Sequence, residues 1–462
     1  MVPPWLLRPF SIPRDLARVH RCSGLVNGQL RNARRSCHTR PVELLEYASE
    51  HPLLAIGAML LVGYALGKLG ELVHLPEITG FIVAGLVIGP AVSGVVDSGT
   101  ARDLVVLTEI ALAFIAFTVG GALHRSTILR VGRSVFMMSL GHLVTSFAVV
   151  SLSLMAAGIN RAVAVLMGVI AGATSPGTTV AVVQREQAHG PFVEHLFGVV
   201  AVVNALTIML FGVVFEFAPL MMGVGLETAP LARFGASVFE ILLSVTLGAL
   251  SGVGIHLATR TERARSSQII IMTIGFLFFS TSLSVSLGFS PLLLNMAAGA
   301  AFVNLSTRSE AVFRTLEPLT PPIYALFFVL AGTKFQPLAF IGGPLVLFGL
   351  LYIVARIFSV YSGVRLAAHL AGVEAGIGRN LGFCLVPQAG VALGLVLLLE
   401  GAPILGQLPP LAVATLLQAV NIVLMAIFVK EIVGPPLSAY ALRRGVRQTA
   451  ASVRISSSRT SA

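Results

Sequence analysis

The chain has 462 residues, of which 56% are hydrophobic and 11% are charged, with a formal net charge of +11. A soluble domain carries about a quarter of its residues as charged side chains, so this composition excludes a soluble enzyme and a disordered chain. With a mean hydropathy of +0.90, the sequence predicts an all-α polytopic membrane protein.

The positive charge lies at the two ends of the chain. Residues 1–40 contain eight Arg and one Asp, and residues 441–462 contain five Arg and no acid. The rest is close to neutral, so we expect no nucleic-acid partner. We interpret residues 1–42 as a basic N-terminal tail, either a leader or upstream sequence read as protein. Residues 43–440 then form a transmembrane domain, and residues 441–462 form a basic cytoplasmic tail.

About 20 apolar residues are needed for a helix to cross a bilayer. Thirteen windows satisfy this requirement: 52–70, 77–95, 103–122, 134–157, 161–184, 192–216, 234–258, 267–287, 289–305, 321–341, 344–369, 378–400 and 408–433. An odd number of spans puts the termini on opposite sides. Most Lys and Arg residues of the predicted loops share the side of the C-terminus, which predicts a cytoplasmic C-terminus in the cell (inner) membrane.

The second half of the chain repeats features of the first half. Residues 117–120 of the third span resemble residues 329–332 of the tenth, and residues 173–177 of the fifth correspond to residues 385–390 of the twelfth. Small residues correspond too: Gly80, Ala84 and Gly85 of the second span match Ala298 and Gly299 of the ninth. Because matching elements are seven spans apart, an odd number, the sequence predicts two inverted repeats.

Two spans contain a proline beside a glycine at matching positions of this repeat. Pro176 lies in the fifth span and Pro387 in the twelfth. A proline removes one backbone hydrogen bond and clashes with the preceding turn. At paired positions, this predicts two discontinuous helices whose free ends line a site at the membrane midplane. A simple kink in each helix is the alternative.

The segment Leu75–Pro90 resembles the second-helix signature of the sodium/proton exchanger family, the monovalent cation:proton antiporters, in its Kef-like and NapA-like bacterial branch. Four further segments agree: 107–123, 172–191, 381–395 and 431–436. The resemblance covers residues 50–440. It implies a core domain with two crossed helices, which moves against a panel domain to give alternating access. It also implies a homodimer in the lipid bilayer.

In the family that this sequence resembles, two adjacent acids of the sixth span bind the transported cation and the proton. Counted from Gly190-Pro191, those positions hold Val203 and Asn204, so both acids are absent. Asn204 can offer its carbonyl oxygen to a cation, or it can be a hydrogen-bond partner between helices.

Arg356 lies midway along the eleventh span, where the family has a basic residue that neutralises an acid of the sixth span. Because that acid is missing, we expect Arg356 to meet the negative C-terminal end of a broken half-helix; direct contact with a substrate is the alternative. Glu109, near the start of the third span, is a possible site of proton coupling, or it lies at the membrane interface. His142 either packs through a hydrogen bond or titrates near neutral pH.

These considerations define the candidate site. The candidate ion-binding or substrate-binding residues are Thr174, Ser175, Pro176, Asn204, Arg356, Pro387 and Gln388, with Glu109 for proton coupling. Neither a His-Glu-x-x-His nor a Gly-x-Ser-x-Gly motif is present, and three cysteines match no metal-ligand set. We therefore expect no catalytic residue, no metal site and no cofactor, and a protein that is not an enzyme.

The resemblance predicts a secondary active transporter that exchanges a monovalent cation, Na⁺ or K⁺, for protons. The replacement of the two acids by Val203 and Asn204 keeps two alternatives open. One is a transporter of the same fold that moves an anionic or organic solute and uses Arg356. The other is a transport-inactive sensor or partner subunit.

Overall fold

The structure is a computed structural model that describes residues 52–72, 76–222, 230–260, 266–337, 343, 345–400 and 410–460. The predicted N-terminal tail lies outside the described residues. Within the described ranges the regular secondary structure is helical, with no strand. This confirms the predicted all-α class.

Seventeen α-helices are present in these ranges. They are α1 (Pro52–Leu72), α2 (Glu77–Ile88), α3 (Ser98–Asp103), α4 (Val105–Gly121), α5 (Arg125–Ala156), α6 (Arg161–Ile170), α7 (Pro176–Arg185), α8 (Pro191–Met221), α9 (Pro230–Thr259), α10 (Ser266–Ser286), α11 (Pro291–Leu305), α12 (Ser309–Leu316), α13 (Thr320–Thr333), α14 (Leu345–Leu370), α15 (Ala375–Cys384), α16 (Gly390–Glu400) and α17 (Pro410–Thr460). Nine stretches among the described residues are long and apolar enough to cross a membrane, and shorter apolar helices accompany them. Each of the thirteen predicted spans overlaps one helix or a pair of helices, but α2 and α13 end at Ile88 and Thr333, several residues before the predicted span ends at 95 and 341.

The fifth and twelfth spans are the two that are divided into pairs. In the fifth span α6 ends at Ile170 and α7 begins at Pro176. In the twelfth span α15 ends at Cys384 and α16 begins at Gly390. The prediction of two discontinuous helices is confirmed, and the alternative of simple kinks is wrong. Pro176 suits the new start because the first residue of a helix needs no backbone N–H.

Glycine contacts repeat between the two halves of the molecule. A Cβ atom on Gly85 of α2 would overlap the carbonyl oxygen of Val329 in α13, and one on Gly299 of α11 would overlap that of Phe117 in α4. The reverse contacts correspond as well: Gly332 meets the carbonyl oxygen of Ile82, and Gly120 meets that of Met296. The same close helix packing therefore occurs in both halves, as the predicted inverted repeat requires.

The last helix extends beyond its predicted end at residue 433. Helix α17 continues through Pro435 and Pro436 to Thr460, because buried residues recur at helical spacing after the prolines: Ser438, Ala441, Leu442 and Thr449. Asn380 Nδ2 of α15 donates to Gln448 Oε1 at 3.0 Å. The segment that the sequence marks as a tail is thus, through Thr449, a helix packed on α15.

We predict that Gly120→Ala and Gly332→Ala each destabilise the protein by about 1–3 kcal/mol, because the added Cβ atom forces two closely packed helices apart. The measurement is the thermal unfolding midpoint of purified protein in detergent. Gly275→Ala in α10 is the matched control, since a Cβ atom there meets no atom within 4 Å. Equal midpoints for all three variants would contradict this packing.

Candidate functional site

The two interrupted helices cross at their breaks. The backbone N–H of Ser175 donates to the carbonyl oxygen of Pro387 at 3.1 Å, which joins residues 171–175 to residues 385–389. Helices α6 and α15 therefore direct their C-terminal ends at the crossing, and α7 and α16 direct their N-terminal ends at it. A helix carries roughly half a negative charge at its C-terminus and half a positive charge at its N-terminus. The crossing thus has two negative and two positive ends.

Arg356 binds both negative ends. Its side chain comes from the middle of α14 and is fully buried. Nε donates to Ala171 O at 2.9 Å and Nη2 to Ala173 O at 2.8 Å. Nη1 donates to Val386 O at 2.7 Å and Nη2 to Leu385 O at 3.3 Å. The expected contact with a half-helix end is confirmed and includes both half-helices. Four of the five guanidinium N–H groups are used.

Two more side chains complete the capping of α6. Gln388 Nε2 donates to Ile170 O at 2.7 Å, and His142 Nε2 of α5 lies 2.9 Å from Gly172 O. Because a carbonyl oxygen only accepts, that histidine nitrogen carries the proton. The four consecutive carbonyl groups of residues 170–173 are therefore all hydrogen-bonded, as buried backbone groups must be. His142 has the packing role.

Asn204 of α8 is hydrogen-bonded to Thr174, in the break between α6 and α7. Its Oδ1 accepts from the backbone N–H of Thr174 at 3.1 Å. Its Nδ2 donates to Thr174 Oγ1 at 2.9 Å and to Val200 O at 2.8 Å. The side chain is fully buried. Asn204 is thus a hydrogen-bond partner between helices, and one of the two lone pairs of its carbonyl oxygen is in use.

A buried carboxylate lies at the positive end of α7. Ser175 is the N-cap residue of this helix, and its Oγ accepts from the backbone N–H of Thr178 at 3.3 Å and donates to Thr178 Oγ1 at 2.8 Å. Thr178 Oγ1 in turn donates to Glu431 Oε2 of α17 at 2.8 Å. Glu431 is fully buried. A carboxylate near a helix N-terminus is stabilised by the N–H groups there.

Lys430, the neighbour of that carboxylate, contacts the second break. Its Nζ donates to Gln388 Oε1 and lies 4.8 Å from the centroid of the Tyr352 ring. The sequence reasoning missed Lys430 and Glu431, because the predicted span ends only two residues after them and charged residues at a span end are normally solvated. The signal that was present is the Gly434-Pro435-Pro436 run, which begins three residues after Glu431.

Two cavities reach the first turn of α7. One of about 500 Å³ is lined by Thr178 and by Glu77, Arg185 and Glu317. A second, of about 410 Å³, is lined by Ser175 and Pro176 and by side chains of α4 and α13. Since Glu77 begins α2 and Arg185 ends α7, the first cavity extends from one end of the bundle to the first turn of α7.

The structure brings most of the predicted site residues together. Hydrogen bonds connect six of them around the crossing, and the seventh, the first residue of α7, lines a cavity: Thr174, Ser175, Asn204, Arg356, Pro387, Gln388 and Pro176. Glu109 is half-buried near the start of α4 and makes none of the hydrogen bonds of the crossing described above. Binding and proton coupling by these residues stay predictions.

A sequence model of the transmembrane sodium/hydrogen exchanger matches residues 56–439. The chain belongs to the sodium/hydrogen exchanger family. The family consists of transporters, so the expectation that the chain is not an enzyme is confirmed. The family named from the sequence resemblance is confirmed as well, and the Kef-like and NapA-like branch stays a prediction.

Solved structures have the same fold. The structure of the sodium proton antiporter MjNhaP1 from Methanocaldococcus jannaschii at pH 8 superposes with a TM-score of 0.67 at 17% identity, covering 86% of this chain and 98% of that one. An electron-microscopy structure of the same antiporter gives a TM-score of 0.64 at 16% identity, covering 84% and 96%. No curated protein matches the sequence.

We predict that Arg356→Gln destabilises the protein by about 3–5 kcal/mol, because it leaves buried half-helix carbonyl groups without their cation. The stability of Arg356→Lys should lie between those of Arg356→Gln and wild type, since a lysine keeps the positive charge and offers three donors. The measurement is the thermal unfolding midpoint together with gel-filtration profiles. Arg365→Gln, at an exposed position of the same helix, is the control and should change stability by about 0.5 kcal/mol at most. Equal midpoints for Arg356→Gln and Arg365→Gln would refute this role.

Proposed function

We propose that this chain is a secondary active transporter that exchanges a monovalent cation, Na⁺ or K⁺, for protons by alternating access. The observation that carries the proposal is the crossing of the two broken helices. Its negative ends are neutralised by one buried guanidinium, and a cavity of about 500 Å³ reaches its positive side. Membership of the sodium/hydrogen exchanger family supports the same substrates.

Alternating access requires a preformed site and a boundary along which it moves. The crossing supplies the preformed site, because Ser175 and Gln388 are buried and their hydrogen bonds tie the two breaks together. The cavity lies between α7 on one side and α2 and α13 on the other. We propose that this boundary closes and opens, with α7 in the core domain and α2 and α13 in the panel domain.

We further propose that the protein works as a homodimer in the cell (inner) membrane with a cytoplasmic C-terminus. Large apolar side chains of α1 and α10 are exposed in the single chain: Leu53, Leu61, Tyr64, Ile271 and Phe279. Such surfaces suit lipid tails or a second copy of the chain. The orientation rests on the Lys and Arg residues of the loops.

The alternative of an anionic substrate held by Arg356 is disfavoured by the hydrogen bonds of this residue. Four guanidinium N–H groups bind backbone carbonyls, so only one is left for a ligand. The buried carboxylate and the cavity beside it favour transport over a transport-inactive sensor.

The test is dissipation of an imposed pH gradient in proteoliposomes. We expect that Na⁺, K⁺ or Li⁺ collapses the gradient, because each proton leaves in exchange for an entering cation. Liposomes without protein and additions of choline salt are the controls. A change of anion from chloride to gluconate should leave the response unchanged.

Two variants test where the proton is bound and whether the scaffold can carry out antiport. If the wild type responds and Glu109→Gln does not, antiport uses Glu109 as its proton site. If the wild type is silent with every cation while Asn204→Asp responds, the scaffold is intact but natural cation:proton antiport is refuted, and anionic solutes become the next substrates to test.

A further inference from the structure

We propose that Glu431, in the last helix, is the carboxylate at which the proton and the transported cation compete. The inference rests on the proposed antiport and names the group that carries it. It places the exchanging acid on α17, while the sixth span, which corresponds to α8, contributes Asn204.

The first argument is the distribution of charge at the crossing. Arg356 binds the C-terminal ends of α6 and α15. The N-terminal end of α7 also needs an opposite charge in a medium without water. Glu431 meets it, because Thr178 in the first turn of α7 donates to its Oε2.

The second argument is an unsatisfied oxygen. Glu431 is fully buried, and its Oε1 makes no well-formed hydrogen bond among the residues that the structure describes, although the backbone N–H of Gln388 also acts on the carboxylate. Nearly all buried polar atoms are hydrogen-bonded, and an unpaired carboxylate oxygen is costly. A proton or a bound cation removes this cost, which is the property that an exchange site needs.

The third argument is access. The cavity of about 500 Å³ is lined by Thr178, which binds Glu431, and by Pro435. Pro435 lies one helical turn after Glu431 on α17. Glu77 and Glu317 line the same cavity, together with Arg185. Acidic groups along the route raise the local concentration of cations.

The surrounding oxygen atoms suit a small monovalent cation. Thr178 Oγ1 and Ser175 Oγ precede the carboxylate in a chain of hydrogen bonds, and Gln388 Oε1 lies on the adjacent break. Hydroxyl, amide and carboxylate oxygens replace the water around a hard cation. The cation displaces the proton of the carboxylic acid, and the proton leaves through the cavity to water, so one positive charge replaces another.

Two positive groups act on this carboxylate. They are Lys430, on the same helix, and Arg356 of α14. The ammonium of Lys430 binds Gln388 Oε1 and the face of the Tyr352 ring, and we assign it the positioning of Gln388. Cation binding becomes stronger as the pH rises, because the proton and the cation compete for the same carboxylate.

The experiment compares Glu431→Gln with wild type, Glu431→Asp and Glu310→Gln. Glutamine keeps an oxygen that accepts from Thr178 and cannot release a proton near neutral pH. We expect cation-dependent proton flux of Glu431→Gln to fall to that of empty liposomes at every pH. Glu431→Asp should keep a reduced flux with a shifted pH profile. Glu310, which pairs with Arg314 at the surface, is the matched acidic control and should behave as wild type.

A binding measurement separates this role from a structural one. Cation added to the purified protein in weak buffer should release protons from wild type and none from Glu431→Gln, while both unfold at similar temperatures. If wild type transports and Glu431→Gln transports equally well, the assignment of Glu431 is overturned and antiport stands. If wild type itself moves no protons with any cation, the proposed function fails first.

Discussion

The buried guanidinium of Arg356 is the group on which the arrangement of the crossing depends. A charged side chain at the centre of a bilayer costs at least about 2.5–3.5 kcal/mol, so it must be paired. Here its partners are four backbone carbonyl oxygens from the two breaks. Two helix C-termini together carry about one negative charge, which matches one guanidinium. The side chain thus needs no acidic partner, and the unwound segments need no water.

This pairing explains how α8 can lack an acid. In the family that the sequence resembles, the basic residue of the eleventh span neutralises an acid of the sixth. In this chain the half-helix ends supply that negative charge. Asn204 is uncharged and holds Thr174 in place through two hydrogen bonds. A carboxylate at Asn204 would face the carbonyl oxygen of Val200, which now accepts from the amide. The local structure of α8 is therefore built for an amide.

The sequence predicted the parts of the molecule that depend on local chemistry. The spans follow from hydropathy, and the interruptions before Pro176 and Gly390 follow from proline geometry. These two properties are decided within a few residues of the chain. The contact of Arg356 with a half-helix end followed from the charge of its side chain and from the absence of an acid in the sixth span, although the contact itself joins distant residues.

The roles of Glu431 and Lys430 could not be predicted in this way. Their burial depends on the continuation of α17 past Pro435 and Pro436, which local propensity opposes. Packing against α15 and the break at residues 385–389 overrides that propensity. Conversely, Glu109 occupies a promising place in the sequence but is not part of the hydrogen bonding of the crossing. Tertiary contacts decide which buried acid belongs to the site.

The position of Glu431 also connects the site to the end of the bundle. Helix α17 holds α7 at both ends. Glu431 binds its first turn through Thr178, and Arg443, about 18 Å further along α17 by helical rise, binds Glu186, the residue at the C-cap of α7. Hydrogen bonds from Arg443 lower the pKa of Glu186, so this ion pair persists at neutral pH.

These two contacts favour movement of α7 together with α17. In the proposed alternating access, exposure of the crossing to the other side of the membrane would then move α7 and α17 together. The surface along which they move is then the cavity wall formed by α2 and α13, where Glu77 and Tyr324 face Thr178 and Pro435. The close glycine contact between α2 and α13 keeps this opposing wall rigid. The same packing that marks the inverted repeat thus supplies the fixed surface that the proposed alternating access needs.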